Sequence, residues 1–338
     1  MIDIIIPNYN GAAYLPTCLE ALRRQTRRDF VATVVDDGSA DESRALLARF
    51  PEVRVLALPE NGGFAKAANA GIAATSGDYV VLLNNDTEAT PGWLAALVGA
   101  LDAQPSYDFA ASKLMLFDRR NHLHSAGDGY RSNGVPFSRG VWQRDTGQFA
   151  RMEPVFGACA GAAAYRRNAL AALAENGQVF DEDLGMYCED VDLNLRAWRR
   201  GLQTVYVPQA VVYHRLSATG GGTTASYGCG RNFMLVWAKN LPADMQRRCL
   251  WTLVWSQLDF ALESLWHIRE PAARARLRGQ RDGLRALPLF LRKRTAENAE
   301  FKVQSSKFRV QAQKPYSIQN LTLDMHQASK TQHSKLNM

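Results

Sequence analysis

Short runs of β-forming residues alternate with stretches of helical period through the first ninety residues of the chain. Asp3 to Ile6 reads as a buried strand stopped by the turn formers Pro7-Asn8-Tyr9-Asn10-Gly11, and Tyr14, Leu15, Cys18, Leu19 and Leu22 then recur at helical spacing. A second strand, Phe30 to Val35, ends in Asp36-Asp37-Gly38-Ser39, where Ser39 and Glu42 have the spacing of a capping box opening the next helix. A third, Val53 to Leu58, runs into Glu60-Asn61-Gly62-Gly63 and an Ala-rich helix from Phe64 to Ala74. Tyr79 to Leu83, bounded by Gly77-Asp78, predicts a strand buried on both faces, with Asn84, Asn85 and Asp86 at its carboxyl end. Thr90 and Pro91 are placed to cap the helix that follows. Strand and helix in strict alternation predict an α/β fold with a mainly parallel, Rossmann-like sheet flanked by helices.

In such sheets ligands bind in the crevice beyond the strand ends. Here four consecutive strand ends would line it: Pro7-Asn8-Tyr9-Asn10, Asp36-Asp37-Gly38-Ser39, Asn61-Gly62-Gly63 and Asn84-Asn85-Asp86. Asp86 with amides beside it suits a hard cation and its phosphate oxygens. Each loop also has a plain structural reading: the acidic pair complements a helix dipole, the glycine pair makes a tight turn, and Asp86 starts a turn.

Farther along, Asp108 to Arg151 is rich in Gly, Ser, Asn and Arg and predicts irregular strands. His122 and His124 have H-x-H spacing, yet two loop histidines without a third ligand read as solvated. In Met186 to Gly201, Val191, Leu195, Trp198 and Leu202 share one helical face, and Gly201 is placed to end the helix. Glu189, Asp190 and Asp192 crowd its first turn, so that mutual repulsion should lift at least one pKa toward the range of a base working near neutrality. Dipole compensation is the alternative. Leu202 to Val212 reads as strand leading to His214, and Ser217 to Ser226, with three glycines, as a mobile loop.

The segments I-I-I-P-N-Y-N-G, V-V-D-D-G-S-A-D-E-S, E-N-G-G-F-A-K-A-A-N-A-G-I and L-L-N-N-D-T resemble the nucleotide-sugar half of the family-2 glycosyltransferases with the GT-A fold, in particular rhamnosyltransferase-like and galactofuranosyltransferase-like enzymes. The resemblance is strong to about residue 215 and persists weakly to Arg294. It implies an inverting transfer of a hexosyl or deoxyhexosyl group from a nucleoside-diphosphate sugar to a glycan or lipid-linked acceptor, in bacterial surface polysaccharide synthesis. It further implies that Asp36 and Asp37 contact the nucleoside, with Asp37 at the base ring, and that Pro7, Asn8, Tyr9, Asn61, Gly63, Asn84, Asn85, Asp86 and Glu189 bind substrate. Asn84-Asn85-Asp86 stands where the family has its D-x-D metal motif, with an amide in place of the first carboxylate. Asp190 matches the general base of an E-D-x-D-L-x-x-R pattern, His214 joins Asp86 as ligand to a divalent Mg²⁺ or Mn²⁺, and Phe156 to Gly161 matches the small-residue strand closing the sugar pocket. A sugar nucleotidyltransferase is disfavoured because Asn8 to Gly11 lacks a basic residue. A non-catalytic nucleotide-sugar-binding protein would explain Asn84, but not Asp190 and His214.

Composition modifies this picture at the C-terminus. The net charge of +7 is unevenly distributed. Residues 301–338 hold five Lys and one Arg against Asp324, the segment Arg269 to Arg294 holds nine basic residues against two acidic ones, and residues 1–268 come to −3. A basic C-terminus on a slightly acidic body argues against a nucleic-acid partner. Five widely spaced cysteines without C-x-x-C suit a reducing cytosol, and no apolar run approaches the roughly 20 residues of a membrane span. The apolar positions from Leu250 to Trp266 predict a helix packed on the catalytic domain, with Ser256, Asp259 and Glu263 opposite. Trp251, Trp255 and Trp266, followed by the basic segment, offer a rival: a peripheral contact with the inner face of the plasma membrane. The chain thus divides into a transferase domain (1–226), a helical region (227–294), and a Gln- and Ser-rich tail (295–338) with the composition of disorder.

Overall fold

In the computed structural model, which describes residues 1–215 and 222–297, the first half of the chain alternates as the apolar pattern requires. The order is β1 (Ile2–Asn8), α1 (Leu15–Arg23), β2 (Phe30–Asp37), α2 (Ser43–Leu47), β3 (Arg54–Leu58), α3 (Phe64–Ala73) and β4 (Tyr79–Leu83). Then follow β5 (Thr87–Ala89), α4 (Trp93–Ala103), β6 (Phe109–Leu116), β7 (Leu123–Ser125), β8 (Asp128–Tyr130), β9 (Pro136–Ser138), β10 (Glu153–Val155) and β11 (Ala162–Arg166). The remainder is α5 (Arg167–Leu173), α6 (Glu189–Arg199), β12 (Thr204–His214), α7 (Thr223–Asn240), α8 (Ala243–Trp266) and α9 (Pro271–Glu297).

The main sheet runs β10-β12-β6-β11-β4-β1-β2-β3. Its β4-β1-β2-β3 half is parallel, and β12 lies parallel to β6, whereas β11 is antiparallel to both β4 and β6. The strands that read as continuous apolar runs are the parallel ones; β11, the antiparallel strand inserted between β4 and β6, follows the irregular middle of the chain. Because β1 pairs with both β2 and β4, their chain connections leave it in opposite directions, and the carboxyl ends of β1 and β4 form the switch point at which such sheets hold their ligand crevice. One face of the sheet is covered by Leu15, Leu19, Trp93 and Leu97, the other by Ala65, Ala68, Leu170 and Leu193.

Two predicted caps form differently. Ser39 does not cap α2: its hydroxyl accepts from the Asn10 amide (2.9 Å) and from Asn8 Nδ2 (3.3 Å), and Asp41 Oδ1 accepts from the Ser43 amide (3.0 Å) instead. Thr90 is not the N-cap of α4. Residues 87–89 form β5, and the Thr90 hydroxyl donates to the Val211 carbonyl (3.0 Å), because pairing with β12 competes for this segment and wins. Of the expected mobile loop, residues 217–221 lie outside the described residues, and from Thr223 the chain is helical. The tail after residue 297 also lies outside them.

Sheet and C-terminal helices belong to one compact unit, Met1–Glu300, and the boundary expected at residue 226 falls inside α7. Close helix contact explains three glycines. A Cβ on Gly230 would sit 2.6 Å from the Arg276 carbonyl, on Gly279 2.2 Å from that of Tyr227, and on Gly283 2.7 Å from that of Arg231. A buried ionic cluster adds to this packing: Lys239 of α7 lies within 3.0 Å of Asp192, Asp181 and Glu175, and Arg196 Nε donates to Asp192 (2.9 Å). The apolar stripe of α8 is only partly turned inward. Leu253 and Ser264 are its buried residues, while Leu258, Leu262, Leu265 and Trp266 face outward, contrary to a helix laid on the domain by that stripe.

Candidate active site

At the ends of β1, β2 and β4 the strand-end side chains are tied to one another. Asn8, buried after the apolar run of β1, donates to Asp36 Oδ1 (3.2 Å) and accepts from Asn85 Nδ2 (2.7 Å). Asp36 has no exposed side-chain surface and accepts from Arg44 Nε (2.6 Å). Burial opposes its charge, but hydrogen bonds from Ser39, Arg44 and Asn8 prevail and hold its carboxyl below the usual range. Asp37 accepts from the Gly62 and Gly63 amides (2.9 and 2.8 Å), so it fixes the loop leaving β3. Asn61 Oδ1 also accepts from the Gly63 amide, and the φ of +86° at Gly63 calls for glycine. Tyr9 stands exposed beside Pro7 at the rim. Asp36, Asn8 and Asn85 form the floor of this crevice, and the rest surround it.

The Asn84-Asn85-Asp86 loop reaches a second group of residues. β12 slips register between Val207 and Val211, so its end pairs with β5 and places His214 opposite Thr87, next to Asp86. His214 Nε2 lies 3.1 Å from Asp86 Oδ1, a buried oxygen that receives no hydrogen bond of ordinary geometry among the described residues. The Asn84 side-chain amide lies 3.5 Å from the same ring nitrogen. A carboxylate oxygen left without a donor beside an imidazole nitrogen and a side-chain amide fits a divalent cation. Behind this pair, His124 Nδ1 lies 3.1 Å from His214 Nδ1, and burial, then the neighbouring His214, push the His124 pKa down to about 3. The H-x-H motif therefore does not act as a pair. Leu123 between the two histidines points into the core, so β alternation turns His124 toward His214, whereas His122 bonds Asn121. His124 is half-buried against His214, not solvated as its loop position suggested.

The third group is the start of α6. Asp190 Oδ2 accepts from the Ala160 amide (3.2 Å) and Oδ1 from the Val191 amide (2.8 Å). Asn194, one turn on, clamps Ala158 through both its amide and its carbonyl, and a Cβ on Gly157 would meet Asn194 at 2.4 Å. The small residues of 156–161 thus allow α6 to lie directly against this segment. Gly161 in turn accepts from the Asn84 amide (2.9 Å), so adjacent residues 160 and 161 link Asp190 to the Asn-Asn-Asp loop.

Of the three crowded carboxyls, two are raised and one is lowered. Burial raises the Asp190 pKa against the Ala160 and Val191 amides, and burial with the charge of Asp190 raises that of Glu189 well above the usual range. Glu189 Oε2 is buried without a hydrogen-bond partner among the described residues. Asp192 is buried as well, yet Lys239 and Arg196 draw its pKa down, so it is the carboxyl of the cluster that ties α6 to α7.

Two contributors were not among the site residues expected from the sequence, although Arg231-Asn232 falls where the family resemblance persists weakly. Asp128, on the irregular β8, accepts from Ser125 and Ser138 (both 2.9 Å) and has a carboxyl oxygen within 4.8 Å of both Asp190 and the Cys159 thiol. Burial, then Asp190, push its pKa up to about 7. Asn232 of α7 is fully buried, and its Nδ2 lies 3.0, 3.2 and 2.7 Å from the carbonyls of Leu184, Met186 and Tyr187. These carbonyls belong to the turn into α6, where Tyr187 and Cys188 hold φ of +71° and +69°, uncommon for residues with side chains. The turn is what sets the angle at which Glu189 and Asp190 enter.

A mostly parallel sheet with an Asn-Asn-Asp loop at its switch point, joined through residues 160 and 161 to a carboxylate at a helix start, is the architecture of the GT-A class of nucleotide-sugar-binding proteins. The profile of the family described as "Glycosyl transferase family 2" matches residues 3–173, and the chain belongs to that family. It is 27% identical over 314 residues, covering 82% of this chain and 96% of the other, to the N-acetylglucosaminyl-diphospho-decaprenol L-rhamnosyltransferase of Mycobacterium tuberculosis. It is also 29% identical over 234 residues to an N-acetylglucosaminyltransferase of Rhizobium meliloti, covering 62% of this chain and 50% of that one. Among solved structures, S. aureus TarS 1–349 in complex with UDP-GlcNAc shares the fold at a TM-score of 0.53 and 19% identity, covering 75% of this chain and 71% of that one. GalNAc-T7 with UDP, GalNAc and Mn2+ shares it at 0.53 and 16%, covering 71% and 50%. The chain is a glycosyltransferase, and its relatives' names fit bacterial glycan synthesis.

Proposed function

We propose that the chain transfers a hexosyl or deoxyhexosyl group from a nucleoside-diphosphate sugar to a hydroxyl of a glycan or lipid-linked acceptor, with inversion at the anomeric carbon, in bacterial surface polysaccharide synthesis. The observation that carries this reading is Asp190: a carboxylate of raised pKa, held by the Ala160 amide one residue from the Gly161 carbonyl that anchors the Asn84 loop. Asp190 takes the acceptor hydroxyl proton as that oxygen bonds to the anomeric carbon, while the bond to the diphosphate oxygen breaks and the nucleoside diphosphate leaves. A single displacement of this kind inverts the centre. Asp37 and the Gly62-Gly63 loop it holds receive the nucleoside, and Asn8, Asn85 and Asp36 hold the crevice floor. Asp86 and His214 would hold the divalent cation, Mg²⁺ or Mn²⁺, whose chemistry is to neutralise the charge growing on the departing diphosphate. The lipid-diphosphate acceptor in the mycobacterial relative's name supports a lipid-linked acceptor here.

Asn84, in place of a carboxylate, favours one second reading, a protein that binds nucleotide sugars without turning them over. Incubating the chain with a panel of radiolabelled nucleotide sugars, with and without Mn²⁺, separates the two. Metal-dependent hydrolysis or transfer that Asp190→Asn abolishes, with donor binding retained, is the expected result. Turnover retained by Asp190→Asn would sink the proposed base, and binding without turnover in the wild type would leave the second reading standing.

A further inference from the structure

We infer that the outward face of α8 is a docking surface for an anionic lipid bilayer. Trp251, Trp255, Leu258, Leu262, Leu265 and Trp266 are 47–87% exposed, and their spacing of three, four and seven puts them on one side of the helix, opposite the inward Leu253 and Ser264. This is an amphipathic helix with its apolar side to the outside over four turns. Scattered single apolar residues on a surface need no partner, but a continuous stripe containing three tryptophans does. Nothing among the described residues covers it.

Charge and residue type select the occupant. Arg247 and Arg248 lie exposed one turn before the stripe, Arg248 paired with Asp244 (3.3 Å), and Arg269 lies exposed just after it. On the adjoining α9, Arg274, Arg278, Arg281, Arg285 and Arg292 are all exposed and recur on one helical face, with Asp282 shared by two of them. Basic residues beside a Trp- and Leu-rich stripe match an apolar layer topped by anionic headgroups, where indole rings lie at the boundary. A second copy fits less well, because antiparallel pairing of α8 would set Arg247 and Arg248 of one copy against Arg269 of the other. The chain's own residues 301–338 are basic, rich in Gln and Ser, and would bring like charge to the same arginines. No described helix is long and apolar enough to cross a membrane, so the contact is with the surface. The assignment is independent of the reaction proposed above and brings the enzyme to the interface where a lipid-linked acceptor would be met.

The test is co-sedimentation of the full chain with vesicles of phosphatidylglycerol and phosphatidylcholine, with tryptophan emission followed in parallel. The wild type should bind these vesicles at least about tenfold more tightly than vesicles of phosphatidylcholine alone, with a blue shift and weakening in high salt. Trp255→Glu with Leu262→Glu should lose binding and blue shift while keeping the wild-type urea midpoint, both side chains being exposed. Arg247→Glu with Arg248→Glu should lose the preference for phosphatidylglycerol. The inference is overturned if the wild type binds no vesicles, if the Trp255/Leu262 variant binds as well as the wild type, or if sedimentation without lipid shows a wild-type dimer that this variant splits.

Discussion

Asn232 lies far along the chain from the strand-end motifs, yet the structure makes it a support of the start of α6, which carries Asp190, the proposed base. Its two amide protons serve three carbonyls, those of Leu184, Met186 and Tyr187, and its own Oδ1 accepts from Arg231 (2.7 Å). Asn232→Ala removes the two hydrogen bonds that its amide donates and the one it accepts from Arg231, each worth about 1 kcal/mol net, and exposes the buried carbonyls to a penalty of about 1–3 kcal/mol where no other donor reaches them. Relaxation of Tyr187 and Cys188 out of the left-handed region returns roughly 1 kcal/mol per residue. The net expectation is a loss of about 2–4 kcal/mol. That same relaxation moves Glu189 and Asp190, and a displacement of about 1 Å costs on the order of 100-fold in rate. The crevice floor of Asn8, Asp36 and Asn85 is built from other elements, so the donor KM should hold while kcat falls. Urea unfolding and steady-state transfer with the donor found by the panel measure both. Asn232→Asp, equal in shape but with no N–H to give, should be at least as damaging. A variant with unchanged midpoint and kcat, or one that loses donor affinity and keeps kcat, would refute the argument.

Three further outcomes are expected. Asp128 has its folded pKa raised to about 7, above that of the unfolded chain, so its contribution to stability is present below the unfolded value and is lost as pH rises through 7. Asp128→Asn should therefore gain on the wild type in unfolding free energy, measured by urea titration, between about pH 5 and about pH 8, by at most about 3 kcal/mol, and an equal difference at both pH values would contradict the raised pKa of Asp128. Asp86→Asn and His214→Ala should each weaken Mn²⁺ binding, measured by electron paramagnetic resonance of free Mn²⁺, by roughly tenfold or more, and unchanged affinity would remove these two residues from the cation site. Gly38 has φ of +69°, and a Cβ there would fall 2.7 Å from the Glu60 backbone, so Gly38→Ala should cost about 1–2 kcal/mol or more and loosen donor binding; a wild-type melting curve would count against it.

The sequence by itself determined the parallel half of the sheet and the contents of its strand ends. Apolar runs as short as β4's, rich in β-formers and bounded by Gly and polar clusters, read as buried strands, and a strand's carboxyl end in such a sheet faces the crevice, so Asn8, Asp36, Asp37, Asn85 and Asp86 could be placed from local pattern alone. Caps were less legible, because Ser39 and Thr90 had local partners and long-range ones on offer, and the long-range ones prevailed. Tertiary structure decided everything that depends on contact across the chain. The register slip in β12 sets His214 beside Asp86, strand alternation turns His124 behind it, and Asp128 and Asn232 reach Asp190 and its turn from segments in which no site residue was expected. The fate of the three carboxyls of α6 was likewise undetermined by their crowding. Lys239, 47 residues beyond Asp192, lowers one, and burial raises the other two, because a pKa is set by the charges and solvent around a group in space and not by its neighbours in sequence.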